Sequence, residues 1–337
     1  MSSIEVRPFR RRDRDQLTAL VNSHAGAVVP GLGVSVSALL NELERQPGEF
    51  LIDPWVSERV TLVAEQRDRI GAAAHLVRFG SDDRVGPAYA NSGVIRWLLF
   101  WPEAPAGNPY WSDATDAAGQ LMAACIRQLE DWGVTSQSAE GELPVPGVYG
   151  VPEQWPHVRA LYERAGFVHD GHTEIVYLIR VADLPRPAEP PLAGLQMRRS
   201  VGINGTRLSA MLGDQPVGYI EVEIFDEGER LARHGGWADV GNLHVDQEHQ
   251  RRGVATWLLG QAADWLELAS VDRLLDYAYQ EDQDQAGQRY DGYRALLAAC
   301  GFRELTRTRR GWTRPAGPVS PGSSSPGSSS PGSFSGA

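Results

Sequence analysis

Two groups of side chains in this 337-residue chain have the types and spacing to do chemistry. The first is Gln250-Arg251-Arg252-Gly253-Val254-Ala255, followed by Thr256. It opens an amphipathic run whose apolar stripe is Val254, Trp257, Leu258, Trp265 and Leu266. Two arginines and a glycine at a helix N-terminus suit an anion. Glycine lets a ligand approach the backbone, and the first helical N–H groups and the positive helix end face it. The second group is acidic and aromatic: Glu221, Glu223, Asp239, His244, Tyr290 and Tyr293. Carboxylates and an imidazole suit proton abstraction, and a phenol suits proton donation. Glu221 and Glu223 alternate onto one strand face and form an acidic wall with Asp239. His244 differs from Asp239 in parity, so a regular strand turns it to the opposite face. Tyr290, Tyr293 and Leu297 share one helical face.

All 32 basic side chains are arginine, since the sequence contains no lysine. This excludes a Walker phosphate loop, a Schiff base and a lysine general base. The net charge of −11 argues against nucleic-acid binding. Cys125 and Cys300 lack metal-ligand spacing and read as reduced core residues, so no metal is expected. No apolar run is long enough to span a membrane, and the first residues carry no apolar signal core. The expectation is a cytoplasmic protein.

The elements that must position these groups come in two related sets. Residues 156–167 (PHVRALYERAGF) and 291–302 (DGYRALLAACGF) align at an offset of about 135, and the preceding helices align at about 137. The openings IEVRPF at Ile4 and LQMRRS at Leu195 also match. The first set has two early helices, near residues 12–22 and 37–46, then strands at 60–66, 70–79 and 94–101. The second goes straight to a hairpin at 206–212 and 216–225 and a strand at 237–245, without those helices. Four prolines within 184–194 mark a linker, and residues 315–337 are a Pro/Gly/Ser tail expected to be disordered. The expected division is 1–185, linker 186–194, 195–314 and tail 315–337.

The strand, loop and Gln250-x-x-Gly253-x-Ala255 helix start resemble motif A of the GNAT superfamily of acyl-CoA-dependent N-acyltransferases. The resemblance extends over most of both sets. It implies an α/β fold of two mixed-sheet units in tandem, the second shortened at its N-terminus. It also implies acetyl-CoA as co-substrate. The backbone of Gln250, Arg251, Arg252, Gly253, Val254, Ala255 and Thr256 would hold the pyrophosphate. Leu243, His244 and Val245 would lie beside the pantetheine arm.

By the same resemblance Asp239 stands where the family carries its base, with Glu221 beside it. The family's tyrosine acid falls on Leu297, leaving Tyr293 one turn away as the substitute. The first unit has Asp113-Ala114-Thr115-Asp116 opposite Gln250–Gly253. Two carboxylates repel a diphosphate, so this unit is expected not to bind CoA there. Trp97, Trp101 and Trp111 would fill its cleft or line a pocket. The expected function is acetyl transfer to the primary amine of a small molecule or peptide by direct attack. The alternative is a non-catalytic acyl-CoA sensor or scaffold. The first unit is expected to dock on the second and wall the acceptor side.

Overall fold

The computed structural model describes residues 3–45, 55–102, 114–145, 147–203, 205–224, 236–280 and 287–315. The predicted disordered tail from 316, Asp113 and Trp111 lie outside these residues, as does the side chain of Tyr290. The first unit runs β1 (Glu5–Pro8), α1 (Arg14–Val28), α2 (Val36–Leu43), β2 (Val56–Gln66), β3 (Arg69–Phe79), β4 (Ser92–Phe100), α3 (Ala114–Asp131), β5 (Ser136–Ala139), β6 (Val151–Pro152), α4 (Pro156–Arg164), β7 (Val168–His169) and β8 (Thr173–Arg180). The second runs β9 (Leu195–Val201), β10 (Thr206–Leu212), β11 (Gln215–Ile224), β12 (Gly236–Val245), α5 (Val254–Leu268), β13 (Val271–Gln280), α6 (Gly287–Ala299), β14 (Arg303–Arg309) and β15 (Trp312–Arg314). Both early helices are present in the first unit. In the second, β9 passes to β10 through residues 202–205.

Two mixed sheets result, and they cut across the sequence division at 186–194. The seven-stranded sheet has the order β1-β2-β3-β4-β5-β15-β7, and the eight-stranded sheet β6-β14-β8-β13-β12-β11-β10-β9. The units exchange their last strands. β8 leaves the first unit and lies antiparallel between β13 and β14. β15 leaves the second and lies antiparallel between β5 and β7. The sequence of β8, TEIVYLIR, explains why it is a central strand. Its side chains are apolar on both faces: Ile175, Tyr177 and Ile179 pack under the second unit's helices, and Val176 and Leu178 pack toward the first unit.

One core lies inside each unit, and they meet across the second sheet. α5 buries Val254, Trp257, Leu258, Ala262 and Leu266 on one face of that sheet. Trp265, expected on the same stripe, is partly buried, with the Arg199 guanidinium 4.3 Å from its ring. The proline-rich segment runs along the outside of α5. A Cβ on Gly260 would meet the Pro185 carbonyl at 2.9 Å, and Arg186 reaches Asp264 at 3.0 Å and Glu267 at 3.2 Å.

The other face, bare of helices in its own unit, is covered by the first. Trp237 and Leu275 belong to the first unit's apolar cluster, and Gly147 sits against Leu275. The expected docking is therefore a packed interface. Cys125 and Cys300 are both buried and free. Among the described residues no helix is long and apolar enough to cross a membrane.

Candidate functional site

The site begins where two parallel strands part. β12 and β13 pair from Gly236/Val271 to Asp239/Leu275 and then separate. On its other side β12 remains paired to β11, but with a bulge: Val222 faces Val240 and Glu221 faces Asn242, so Gly241 is the extra residue. The parting opens a cavity of about 720 Å³ lined by Gly241, Leu243, Gln250, Gly253, Asp276 and Tyr293, among others. Its base is α5 and its far wall is α6.

The bulge corrects one sequence expectation. Asp239 and His244 differ in parity, but the added residue resets the alternation beyond it. Asp239, Asn242 and His244 face the same side of the sheet, while Val240, Leu243 and Val245 pack on α5. His244 is exposed and bonds Asp246 at 3.2 Å, with the Tyr219 ring 5.7 Å away. It nonetheless lines the same cavity as Gln250, Arg251 and Gly253.

The loop before α5 is built for close approach. Arg251 has φ +58° and Gly253 φ +85°, both left-handed. A Cβ on Gly253 would also meet Pro191 at 3.2 Å, so the position requires glycine. Gly253 is the residue before the first helical turn, and no side chain caps that turn. The N–H groups of Val254, Ala255 and Thr256 therefore open the helix beside the cavity. Gln250 spends its carboxamide on the loop itself, donating to the Val245 carbonyl at 2.9 Å. Arg251 lines the cavity; Arg252 is exposed and is not among the lining residues.

The acids divide between the two faces. Asp239 lies toward the first unit, opposite Glu223 in register. Burial, with a smaller push from Glu223, raises its carboxyl to about 7, and its Oδ1 is buried without a hydrogen-bond partner. Glu221, expected beside it, is 1% exposed and bound by Arg207, with the Ile203 N–H donating to it at 3.2 Å. That pairing makes Glu221 a structural anion. Over Asp239 stands Tyr149 of the first unit, whose ring meets Tyr277 edge-on at 5.5 Å.

On the opposite face Tyr293 donates its hydroxyl to Asp276, at 2.7 Å to Oδ2 and 2.9 Å to Oδ1. Burial raises the Asp276 carboxyl to about 7, against the lowering effect of those bonds. Leu297 is buried core.

Asp276, Tyr149 and the cavity-lining Gly292 were not singled out from sequence. Asp276 had a signal, an acid inside the apolar run Leu274-Leu275-Asp276-Tyr277-Ala278. Gly292 had one too: at the offset of 135 it faces His157. Tyr149 had none, since a loop residue of one unit reaches the other only through docking.

In the first unit the same parting of strands exists and is filled. β4 and β5 pair as far as Ile95/Ala139, and Arg96 is the bulge residue. His157, standing where the second unit has Gly292, packs edge-on against Phe100 at 4.8 Å and meets His24 at 3.1 Å. The Tyr162 hydroxyl donates to the Glu140 carbonyl at 2.8 Å. Trp97 is buried on His75, and the Trp101 indole N–H donates to the Ile70 carbonyl at 3.2 Å.

Residues 177–302 match the model of the acetyltransferase (GNAT) family. No curated protein matches the sequence. Three similar solved structures share the fold. A tandem GNAT protein from the clavulanic acid biosynthesis pathway has TM-score 0.63 at 16% identity, covering 94% of this chain and 99% of that one. A GCN5-related N-acetyltransferase from Sphaerobacter thermophilus has TM-score 0.55 at 14% identity, covering 92% and 95%. A glucosamine N-acetyltransferase region of a fungal multi-domain β-N-acetylglucosaminidase has TM-score 0.58 at 13% identity, covering 93% of this chain and 38% of that one.

Proposed function

We propose that this chain is a tandem-domain member of the GNAT superfamily and an acyltransferase, and that its second unit transfers an acetyl group from acetyl-CoA to a primary amine by direct attack. The observation that carries the reading is the parted β12–β13 seam, with the Arg251–Gly253 loop at one end and Asp239 on the acceptor side. The left-handed glycine, the uncapped helix start and the Arg251 cation fit a diphosphate. The edge of β12 around Leu243, which β13 leaves unpaired, fits an extended pantetheine arm. No metal is needed.

In this reading Asp239 takes a proton from the acceptor ammonium. A base raised to about 7 is matched to neutral pH. The freed amine attacks the thioester carbonyl, the C–N bond forms and the C–S bond breaks. The sulfur keeps the electron pair and takes a proton from Tyr293. The acceptor is a small molecule or peptide amine bound between the units, where Asp239, Glu223 and Tyr149 favour a cation. Residues 1–185 serve as the wall and do not bind CoA, and 195–314 carry the donor site.

The test is turnover of acetyl-CoA with an amine library, followed by thiol release, alongside titration calorimetry. Thiol release that requires an amine supports the reading. Tight binding with no turnover for any amine would replace it with the non-catalytic acyl-CoA sensor, a reading that Leu297 in the usual tyrosine's place favours.

A further inference from the structure

Tyr293 has one hydroxyl hydrogen, and it points at Asp276 rather than into the cavity. We propose that Asp276 is a positioning residue that controls where this hydrogen goes, so that the buried pair relays a proton to the leaving thiolate. The inference rests on the acyl-transfer reading with Tyr293 as donor.

The geometry sets up two states. Asp276 is 2% exposed and also accepts the Tyr277 N–H at 2.7 Å. The groups facing the pair are Tyr177, opposite Asp276 on β8, and Cys300 beside Tyr293, while Asp239 acts on Asp276 by charge from the other face of the sheet. Arg294 is turned to the Tyr177 hydroxyl, 3.4 Å away. Among the described residues no arginine pairs with Asp276. As a carboxylate, Asp276 holds the Tyr293 hydrogen. As a carboxylic acid, it donates its own hydrogen to the phenol oxygen, and the Tyr293 hydrogen is free to turn into the cavity.

The relay balances. When the C–S bond breaks, sulfur takes the Tyr293 proton and the phenolate takes the Asp276 proton. The carboxylate then regains one from solvent, equivalent to a proton released by the attacking amine. Burial brings the carboxyl to about 7, so both states are populated near neutral pH.

The signs of the two acids are opposite. Asp239 works as a carboxylate, so its contribution rises with pH. Asp276 works protonated, so its contribution falls as pH climbs through about 7. The full-length protein should show a bell-shaped kcat profile. In Asp276→Asn the amide N–H always donates to the phenol oxygen and leaves the Tyr293 hydrogen free. The expected result is loss of the alkaline fall, an unchanged acid limb, and a KM for acetyl-CoA that moves less than kcat.

Tyr293→Phe should lower kcat about 100-fold or more and also lose the alkaline fall. An alkaline limb that persists in Asp276→Asn overturns the relay. If Asp276→Asn does not fold, Tyr293→Phe decides. Full kcat in that variant overturns the relay while leaving acyl transfer standing, whereas wild-type protein inert with every amine fails the underlying reading itself.

Discussion

Replacing Asp239 with asparagine should make the protein less active and, at alkaline pH, more stable. The carboxyl sits between two units with one oxygen unbonded, and burial raises it from 3.8 to about 7. The folded state therefore holds this proton more tightly than the unfolded chain does. Stability from this group is fully present below the ordinary value. It is lost as pH climbs toward about 7 and is then flat. Each pH unit across that window costs about 1.4 kcal/mol, on the order of 4 kcal/mol in all. Between about pH 5.5 and about pH 8.5 the loss is about 2 kcal/mol.

Asparagine carries no charge and escapes that loss. Urea unfolding of both proteins at the two pH values measures it. The advantage of Asp239→Asn should grow by about 2 kcal/mol on going to the higher pH. Asp276 titrates in both proteins and largely cancels. Turnover by Asp239→Asn should fall about 100-fold or more, as for the loss of a general base. Parallel stability curves would refute the burial argument, and undiminished turnover would refute the base.

Three further outcomes follow from the two clefts. Gly292→His should close the second cleft as His157 closes the first; nothing lies within 4 Å of a Cβ there, so the melting temperature should hold while calorimetry shows acetyl-CoA binding lost. Arg251→Asp or Gly253→Glu should abolish CoA binding, whereas Asp116→Asn should leave it intact; equal affinities by calorimetry would move the phosphate site elsewhere. Truncation to residues 195–314 removes β8 from the middle of the second sheet, so the fragment should be insoluble, and a soluble, active fragment would show that the exchange is dispensable.

Much of the fold was legible because it rests on local signals. The alternation in 60–66 and 70–79 appears as β2 and β3, with a turn at Arg67 and Asp68, both at positive φ. The α5 stripe and the glycine before it could be read from 3.6-residue spacing and from the needs of a helix start. The internal repeat exposed the acidic replacement in the first unit. The site was legible in part. Gly253, Arg251, Leu243 and Tyr293 line one cavity. Glu221 is taken up by a cross-strand arginine and the facing of His244 is reset by a bulge, neither of which leaves a periodic trace.

What the sequence determined by itself is the set of parts. It supplied two copies of one α/β pattern, an arginine-and-glycine loop at a helix start in the second copy, and a chain without lysine. Those follow from residue type and spacing over a few turns of chain. The tertiary structure decided which parts work together. It exchanged β8 and β15 between sheets, set Tyr149 over Asp239, and buried Asp276 against Tyr293. Strand order, a one-residue bulge and burial in a shared interface are set by contacts between distant segments, and a carboxyl's proton affinity depends on that burial more than on its neighbours in sequence.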